Sequence, residues 1–187
     1  RIEWYNQTNK FLTTPLSDDQ IINKVQEMYE YDKKIKEVNC VCCWNKAKDE
    51  SIALWKIYSD YGKGIMIKTN ISKLIDSLSS TDESIYLSEV NYIDYKKDIM
   101  QDGNSFFPII HRQNHFNFEN EVRLIHSVDF PQIGKFYPWD KEYITEGKLI
   151  KVDINLLIEQ VVVGPFAPHW MISLIEDLMN KYGLNLP

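Results

Sequence analysis

Two glutamates and an arginine stand at every second position near the middle of the chain. Glu119, Glu121 and Arg123 belong to the stretch HRQNHFNFENEVRLIH at 111–126. Because successive side chains of a β-strand point to opposite faces, a strand over 119–125 would place all three on one face. Two carboxylates this close raise each other's pKa, whereas the neighbouring arginine lowers it. This pattern suits a site that holds negative charge beside a developing cation.

The opposite face of the same predicted strand is apolar. It carries Val122 and Leu124, which we expect to face the core, whereas Ile125 falls on the charged face. The charged face then lies either in a polar cleft or in solvent. In solvent, its cross-strand ion pairs would contribute only ~0–1 kcal/mol each. The spacing alone leaves both alternatives open.

A second group of candidate residues lies at 43–58, in CWNKAKDESIALWKIY. On a helix that starts at Glu50, the residues Ser51, Trp55 and Tyr58 would form one stripe. One interpretation is a helix that faces the core. The other is a cleft that Glu50 and Ser51 line, beside an aromatic ring of Trp44 that could stack on a planar ligand.

The sequence argues against several common classes of site. His111, His115 and Glu119 have helical spacing, but Glu119 begins a predicted strand, so we predict no metal site. The chain has no G-x-S-x-G element and no phosphate-binding G-x-G-x-x-G or G-x-x-x-x-G-K-[ST]. These absences exclude a serine nucleophile elbow, kinases, P-loop NTPases and Rossmann dehydrogenases.

The cysteines indicate a reducing compartment. The chain has three of them, Cys40, Cys42 and Cys43, crowded into four positions. An odd number without a distant partner does not form a disulfide framework, and the cytoplasm is the expected location. Alternation along a strand would point Cys43 away from the other two. We expect all three to be small buried hydrophobic residues.

Composition predicts one folded domain. The 187 residues are 44% hydrophobic and 26% charged, with a net charge of −6, and the apolar runs are too short for a membrane span. The acidic balance disfavours non-specific duplex binding. We expect a single domain over 1–187, no membrane partner, and a missing segment before Arg1.

Periodicity predicts an α+β fold, with a mixed and mainly antiparallel sheet of about six strands and flanking helices. Residues 1–17 are interpreted as a strand remnant and a loop, and 128–147 as a long excursion of undecided role. Helices are predicted from Asp18 or Asp19 to Lys36, over 50–61, after the capping residue Asn70, and near the C-terminus up to Gly183. Strands are predicted over 38–44, 64–69, 86–93, 121–126, 148–154 and 159–164.

Three sequence motifs together resemble a large family of mostly bacterial domains of unknown function. The first family motif is C-W-x5-E-S-x-x-[LM]-W-x-x-Y, matched by Cys43, Trp44, Glu50, Ser51, Leu54, Trp55 and Tyr58. The second is K-R-x-x-F-x-x-E-x-E-x-R, to which Arg112, Phe116, Glu119, Glu121 and Arg123 correspond, with His111 in place of the usual lysine and one extra residue between Arg112 and Phe116. The third is L-I-x-x-[IV]-x-V-x-P-x-A-x-x-W, matched by Leu157, Ile158, Val161, Val163, Pro165, Ala167 and Trp170.

The resemblance also implies a more distant similarity to ADP-ribosyltransferases, with NAD as the substrate. In that case Arg1 would hold the phosphates or ribose of NAD, and Trp44 or Tyr58 would pack against the nicotinamide. Glu121 would stabilise the oxocarbenium-like centre, and Glu119 would orient the acceptor. Such an enzyme would transfer ADP-ribose or cleave NAD, as an effector in phage defence or a toxin system. Its acceptor, a protein or a nucleic acid, is not specified.

Two main classes of function therefore remain, beside a third, nucleic-acid processing in phage defence or a toxin system, which the acidic net charge disfavours. In the first, an ADP-ribosyltransferase-like enzyme, one cleft collects Trp44, Glu50, Tyr58, Arg112, Glu119, Glu121 and Arg123, with Ser51, Trp55 and Arg1 as further ligand-binding residues. In the second, a sensor module binds an anion or a nucleotide without turnover. Arg112 and Arg123 would then clamp the ligand, since guanidinium groups bind phosphate and carboxylate through two hydrogen bonds.

Overall fold

The structure, a computed structural model, describes residues 2–98, 100, 103–128 and 146–184. The chain divides into two compact units. Unit 1 consists of Arg1–Lys46 and Ser84–Lys148, and unit 2 of Ala47–Glu83 and Leu149–Pro187. The single domain expected over the whole chain stays a prediction.

Helices and strands alternate irregularly along the chain. The helices are α1 (Ile2–Asn9), α2 (Asp18–Glu37), α3 (Ile52–Tyr58), α4 (Ile71–Ser77), α5 (Phe107–Ile110), α6 (Ile154–Leu157) and α7 (Trp170–Lys181). The strands are β1 (Asn39–Asn45), β2 (Ile65–Lys68), β3 (Ile85–Glu89), β4 (Asn91–Ile93), β5 (His111–Gln113), β6 (Glu121–Ser127) and β7 (Gln160–Val163). Two 3₁₀ turns cover Asp60–Gly62 and Asn114–Glu119.

The predicted α+β class is confirmed, but the predicted sheet of about six strands is wrong. Among the described residues the strands form three small sheets. Unit 1 holds the antiparallel sheet β1-β6-β3 and the parallel pair β4-β5, and unit 2 holds the antiparallel pair β2-β7. Strand positions are visible in the sequence as local patterns, whereas strand pairing joins segments up to about a hundred residues apart.

Helix α2 begins with a capping box. The backbone N–H of Gln20 donates to Oγ of Ser17 at 3.3 Å, and the N–H of Ser17 donates to Oε1 of Gln20 at 2.9 Å. These bonds satisfy two backbone donors that a helix start leaves without partners. The predicted helix is confirmed, but Ser17 caps it, and Asp18 and Asp19 occupy its first turn.

The core of unit 1 forms on the face of β6 that carries Ile125. Ile125 is fully buried and packs with Ile35 and Val38 at the end of α2 and with Ile109 of α5. Alternation places the side chains of Glu121 and Arg123 on this same covered face. The prediction that Val122 is a core residue is confirmed by its burial, but Leu124 is only partly buried, and the packed cluster lies on the opposite face, with Ile125. The charged residues lie beside the core.

Three predicted elements differ in the structure. Helix α1 replaces the strand remnant expected at the N-terminus, and the strand expected over 148–154 is irregular and leads into α6. There the carboxylate of Asp153 accepts a hydrogen bond from the N–H of Asn155 at 2.9 Å, so this segment begins a helix. The strand expected over 86–93 is interrupted at Val90, whose N–H donates to the carbonyl of Glu121 at 2.9 Å.

In unit 2, β2 pairs with β7 and α4 packs against α6. Asn70 caps α4 as predicted, with its Oδ1 accepting from the N–H of Lys73 at 3.0 Å. Gly164 follows β7 and lies against the ring of Trp55, since a Cβ there would come within 3.2 Å of two ring atoms. Trp55 is consequently a core residue of this unit.

No helix in the described part of the chain combines the length and the apolarity that crossing a membrane requires. The longest helix, α2, carries acidic residues in its first turn and lysines in its last turn.

Candidate functional site

Glu119 and Glu121 do not belong to one strand. Glu119 ends the 3₁₀ turn Asn114–Glu119, and Glu121 is the first residue of β6. Between them Asn120 has a φ of +39°, in the left-handed region where asparagine is tolerated better than most residues. The prediction that the two glutamates share a strand face is wrong, because this backbone reversal separates them. Their side chains are nevertheless brought together by a common partner.

That partner is Arg112 on β5. Its Nη1 donates to Oε2 of Glu119 and to Oε1 of Glu121. On the other side of Glu121, the Nε of Arg123 donates to Oε2 at 2.7 Å. Arg123 also donates from Nη1 to the carbonyl oxygen of Ile109 in α5. We call Arg112, Glu119, Glu121 and Arg123 the Arg–Glu cluster.

The Arg–Glu cluster combines two arginines with two glutamates, and both carboxyl groups are buried. Glu119 is 5% exposed and Glu121 is 6% exposed. Burial alone would raise the pKa of Glu121, but hydrogen bonds with Glu119 and Arg123, together with the charge of Arg123, outweigh it and lower that pKa to about 2. Glu121 is therefore an anion at any ordinary pH, held in place from both sides.

Sequence reasoning missed two residues next to the cluster. The backbone N–H of Glu121 donates to the hydroxyl oxygen of Tyr92 at 2.9 Å, and Cys43 stands opposite Arg123 in the register of β1 and β6. The pKa of Tyr92 is raised, chiefly by burial of its hydroxyl. Although Cys43 is exposed as a residue, the pKa of its thiol is also raised, first by partial desolvation against the sheet and then by the charge of Glu121. No spacing along the chain links either residue to Glu121.

The cysteines are not the buried residues that the sequence predicts. Cys42 and Cys43 are exposed, and Cys40 is partly exposed, because β1 is an edge strand of its sheet. The expected alternation is confirmed by the register, which pairs Cys43 with Arg123 but Trp44 with Val122. Trp44 therefore lies on the opposite face of this sheet from Cys43 and does not line the Arg–Glu cluster.

Arg112 is the most accessible member of the Arg–Glu cluster. Its guanidinium carbon lies 4.0 Å from the ring centroid of Phe116, and its side chain is 28% exposed. Among the described residues, Arg112 forms hydrogen bonds only through Nη1, so the N–H groups of Nε and Nη2 have no acceptor there. A guanidinium that is oriented by carboxylates on one edge and by an aromatic ring on its face can offer its remaining edge to an anion.

The motif residues of unit 2 have structural roles. Ser51 caps α3, its Oγ accepting from the N–H of Leu54 at 3.4 Å. The indole N–H of Trp55 donates to Oε2 of Glu50 at 3.1 Å. Because Trp55 is buried and Tyr58 is 69% exposed, the predicted stripe of Ser51, Trp55 and Tyr58 does not form one surface.

Unit 2 also contains a surface pocket of about 610 Å³ at the end of α3. Its lining residues are Lys56, Ile57, Tyr58, Ser59, Asp60, Gly62 and Phe166. Tyr58 is the one residue from the predicted site that contributes to this pocket.

The residues expected in one cleft fall into both units. Unit 1 holds Trp44, Arg112, Glu119, Glu121 and Arg123, and unit 2 holds Glu50, Ser51, Trp55 and Tyr58. Within unit 1 the structure joins four of these residues and leaves Trp44 on another face. Arg1 and most of the excursion at 128–147 lie outside the described residues.

The histidines considered as metal ligands have other partners. His111 contacts the carbonyl oxygen of Phe107 through Nδ1 at 2.9 Å and the side-chain nitrogen of Asn91 through Nε2 at 3.2 Å. The ring of His115 packs on Phe116 with centroids 4.2 Å apart. Over residues 2–98, 100, 103–128 and 146–184, no group of three or more histidine, cysteine or acidic residues could hold a metal ion.

Comparison of the chain with models of protein families, with curated proteins and with solved structures gave no match. The resemblance in the three sequence motifs stays a prediction.

Proposed function

We propose that the protein is a binding module for an anionic, nucleotide-like ligand, and that it does not turn the ligand over at Glu121. The observation that carries this proposal is that two arginines bind the carboxylate of Glu121, while the side chain of Arg112 is 28% exposed and, among the described residues, forms hydrogen bonds only through Nη1. The geometry thus favours the second of the two classes derived from the sequence.

Catalysis at Glu121 would need a carboxylate oxygen that faces the substrate. A carboxylate stabilises an oxocarbenium-like centre only when it is preorganised toward the place where positive charge develops. Here Oε1 accepts from Arg112 and Oε2 from Arg123, and the residue is 6% exposed. Releasing Glu121 would leave buried charges without partners, which costs about 3–5 kcal/mol.

Anion binding at Arg112 needs no such rearrangement. The planar guanidinium has five donors, and bidentate contacts to phosphate or carboxylate are among the strongest hydrogen bonds in proteins. Because Glu119, Glu121 and the ring of Phe116 already fix the orientation of Arg112, little side-chain entropy is lost when a ligand binds. Arg123 offsets the second carboxylate, so an incoming anion meets no net negative charge from the cluster.

The two hypotheses, an ADP-ribosyltransferase-like enzyme and a binding module, differ in one expected result. Both hypotheses expect NAD to bind, but only an ADP-ribosyltransferase-like enzyme releases nicotinamide. Calorimetry with NAD and with ADP-ribose measures binding, and chromatography measures nicotinamide. We expect the wild type to bind both compounds without nicotinamide release, and Glu121→Gln tests whether any release depends on this carboxylate.

Arg112→Lys is the critical variant, because lysine keeps the charge that balances the glutamates and loses the planar fork. We expect it to weaken ADP-ribose binding about tenfold, the size of one charge-assisted hydrogen bond. Lys34→Gln, on the surface of α2, is the control and should bind normally. Nicotinamide release that disappears in Glu121→Gln would instead establish the enzyme, and no binding of either compound would reject the module.

A further inference from the structure

The backbone beside the pocket at the end of α3 is closely packed. Gly62 has a φ of +82°, and a Cβ at this position would clash with the carbonyl oxygen of Phe166. The N–H of Gly164 donates to the carbonyl oxygen of Gly64 at 3.0 Å, and the N–H of Ala167 donates to the carbonyl oxygen of Gly164 at 3.0 Å. The hydrogen bond between Gly164 and Gly64 joins the two segments that form the pocket.

Two aromatic side chains line this pocket and face solvent. Tyr58 is 69% exposed and Phe166 is 56% exposed. Exposed large aromatic side chains that share a concave surface are typical of sites for planar ligands, since each ring offers a face for stacking. The volume of about 610 Å³ lies within the usual range for small-molecule sites.

The charges of the pocket favour an uncharged ligand with hydrogen-bond donors. Lys56 and Asp60 are its only charged lining residues in the part of unit 2 that the structure describes, and they balance each other. Helix α3 ends at Tyr58, so the pocket lies at a helix end where the backbone carbonyls carry partial negative charge. The carboxylate of Asp60 can accept a hydrogen bond from a ligand, whereas a phosphate gains no net attraction from a pocket whose two charges cancel.

We propose that the pocket binds a nucleobase-type planar heterocycle, with its ring against Tyr58 and Phe166 and its amino group on the carboxylate of Asp60. The inference shares a broad ligand class with the proposed function but uses only residues of unit 2. Each of the two proposals can therefore fail alone.

Adenosine and purine riboside form a matched pair of ligands, because they differ only in the exocyclic amino group. Ligand-observed NMR titration of the full chain measures both affinities. We expect adenosine to bind at least fivefold tighter than purine riboside, and Asp60→Ala to remove that preference. We also expect AMP to bind no tighter than adenosine at this pocket. Equal affinities of the wild type for the two ribosides would overturn the role of Asp60.

Tyr58→Ala and Phe166→Ala test the stacking. Loss of one stacking partner should weaken adenosine binding about tenfold. Tyr182→Ala is the matched control, since Tyr182 is 64% exposed in the same unit and does not line the pocket. Binding that Tyr182→Ala leaves intact and the other two variants weaken supports the inference. No adenosine binding, or binding that neither pocket variant weakens, overturns it.

Arg112→Lys separates this inference from the proposed function. It should weaken ADP-ribose binding at Arg112 without changing the affinity for adenosine. Adenosine affinity that falls in Arg112→Lys as much as in Tyr58→Ala would contradict an independent pocket in unit 2. Loss of ADP-ribose binding alone would count only against the proposed function.

Discussion

Arg123 donates from Nε to Oε2 of Glu121 at 2.7 Å, and the two residues project from the same face of one strand. The second oxygen of Glu121 is bound by Arg112, which lies on a different strand. The charge of Glu121, which the sequence suggests could face a substrate, is therefore balanced by arginines of the protein itself. The relationship holds Glu121 between two arginines, and the consequences for stability can be measured.

Removing Arg123 should destabilise the fold strongly. Arg123→Met leaves Glu121 with one arginine and the carbonyl oxygen of Ile109 without its donor. Breaking a buried ion pair by deleting one partner costs about 3–5 kcal/mol. Urea unfolding followed by circular dichroism measures this loss of unfolding free energy.

The control for Arg123→Met is Lys34→Met. Lys34 forms an ion pair with Glu37 at 3.0 Å on the exposed surface of α2. Exposed ion pairs contribute about 0–1 kcal/mol, so the unfolding free energy of this variant should remain close to that of the wild type. Equal losses in the two variants would show that the Arg–Glu cluster is not a buried network.

Acidification should lower the unfolding free energy of the protein, because Glu121 becomes protonated. Its pKa in the folded state is about 2, below the ordinary value of 4.5. A lowered folded-state pKa contributes stability that is complete above the unfolded-state value and is lost as the pH falls toward 2. We expect the unfolding free energy to fall between about pH 4.5 and pH 2, and Glu121→Gln to show a smaller fall over this window. An identical pH dependence in the variant would contradict the assignment.

Gly62→Ala should destabilise the protein more than Gly103→Ala. Both glycines have a positive φ, of +82° and +103°, and strain any side chain placed there. Only Gly62 would also clash with the carbonyl of Phe166, whereas Gly103 has nothing within 4 Å. Forcing atoms into a packed site costs about 1–3 kcal/mol, so Gly62→Ala should lower the thermal midpoint further. Equal midpoints would mean that the contact between Gly62 and Phe166 is not tight.

Asn70→Ala should destabilise α4. Loss of an N-cap side chain costs about 0.5–2 kcal/mol, because the N–H of Lys73 then has no acceptor. Ser72→Ala, two positions further along the same helix, provides the comparison, since alanine is favoured inside helices. Chemical denaturation of both variants tests the cap. A loss in Ser72→Ala as large as in Asn70→Ala would be unexpected.

Local patterns predicted much of the fold. The spacing of apolar residues located α2 and α7, and alternation located β1, β6 and β7. These elements depend on neighbours within a few positions, which the sequence displays directly. The N-terminal helix α1 and the irregular segment before α6 were missed. In the second case Asp153 starts a helix where the apolar alternation alone predicts a strand.

The sequence by itself determined which residues are charged, aromatic or helix-capping, and it placed Glu121 and Arg123 side by side, because a strand fixes its own alternation. It could not determine that Arg112 closes over Glu121, that Ile125 and not Leu124 faces the core, or that Tyr58 and Phe166 line one pocket. Those relationships join segments up to 108 positions apart, Tyr58 to Phe166. Only the pairing of strands and the packing of helices on them bring such segments together, and so the tertiary structure decided which charges stay accessible to a ligand.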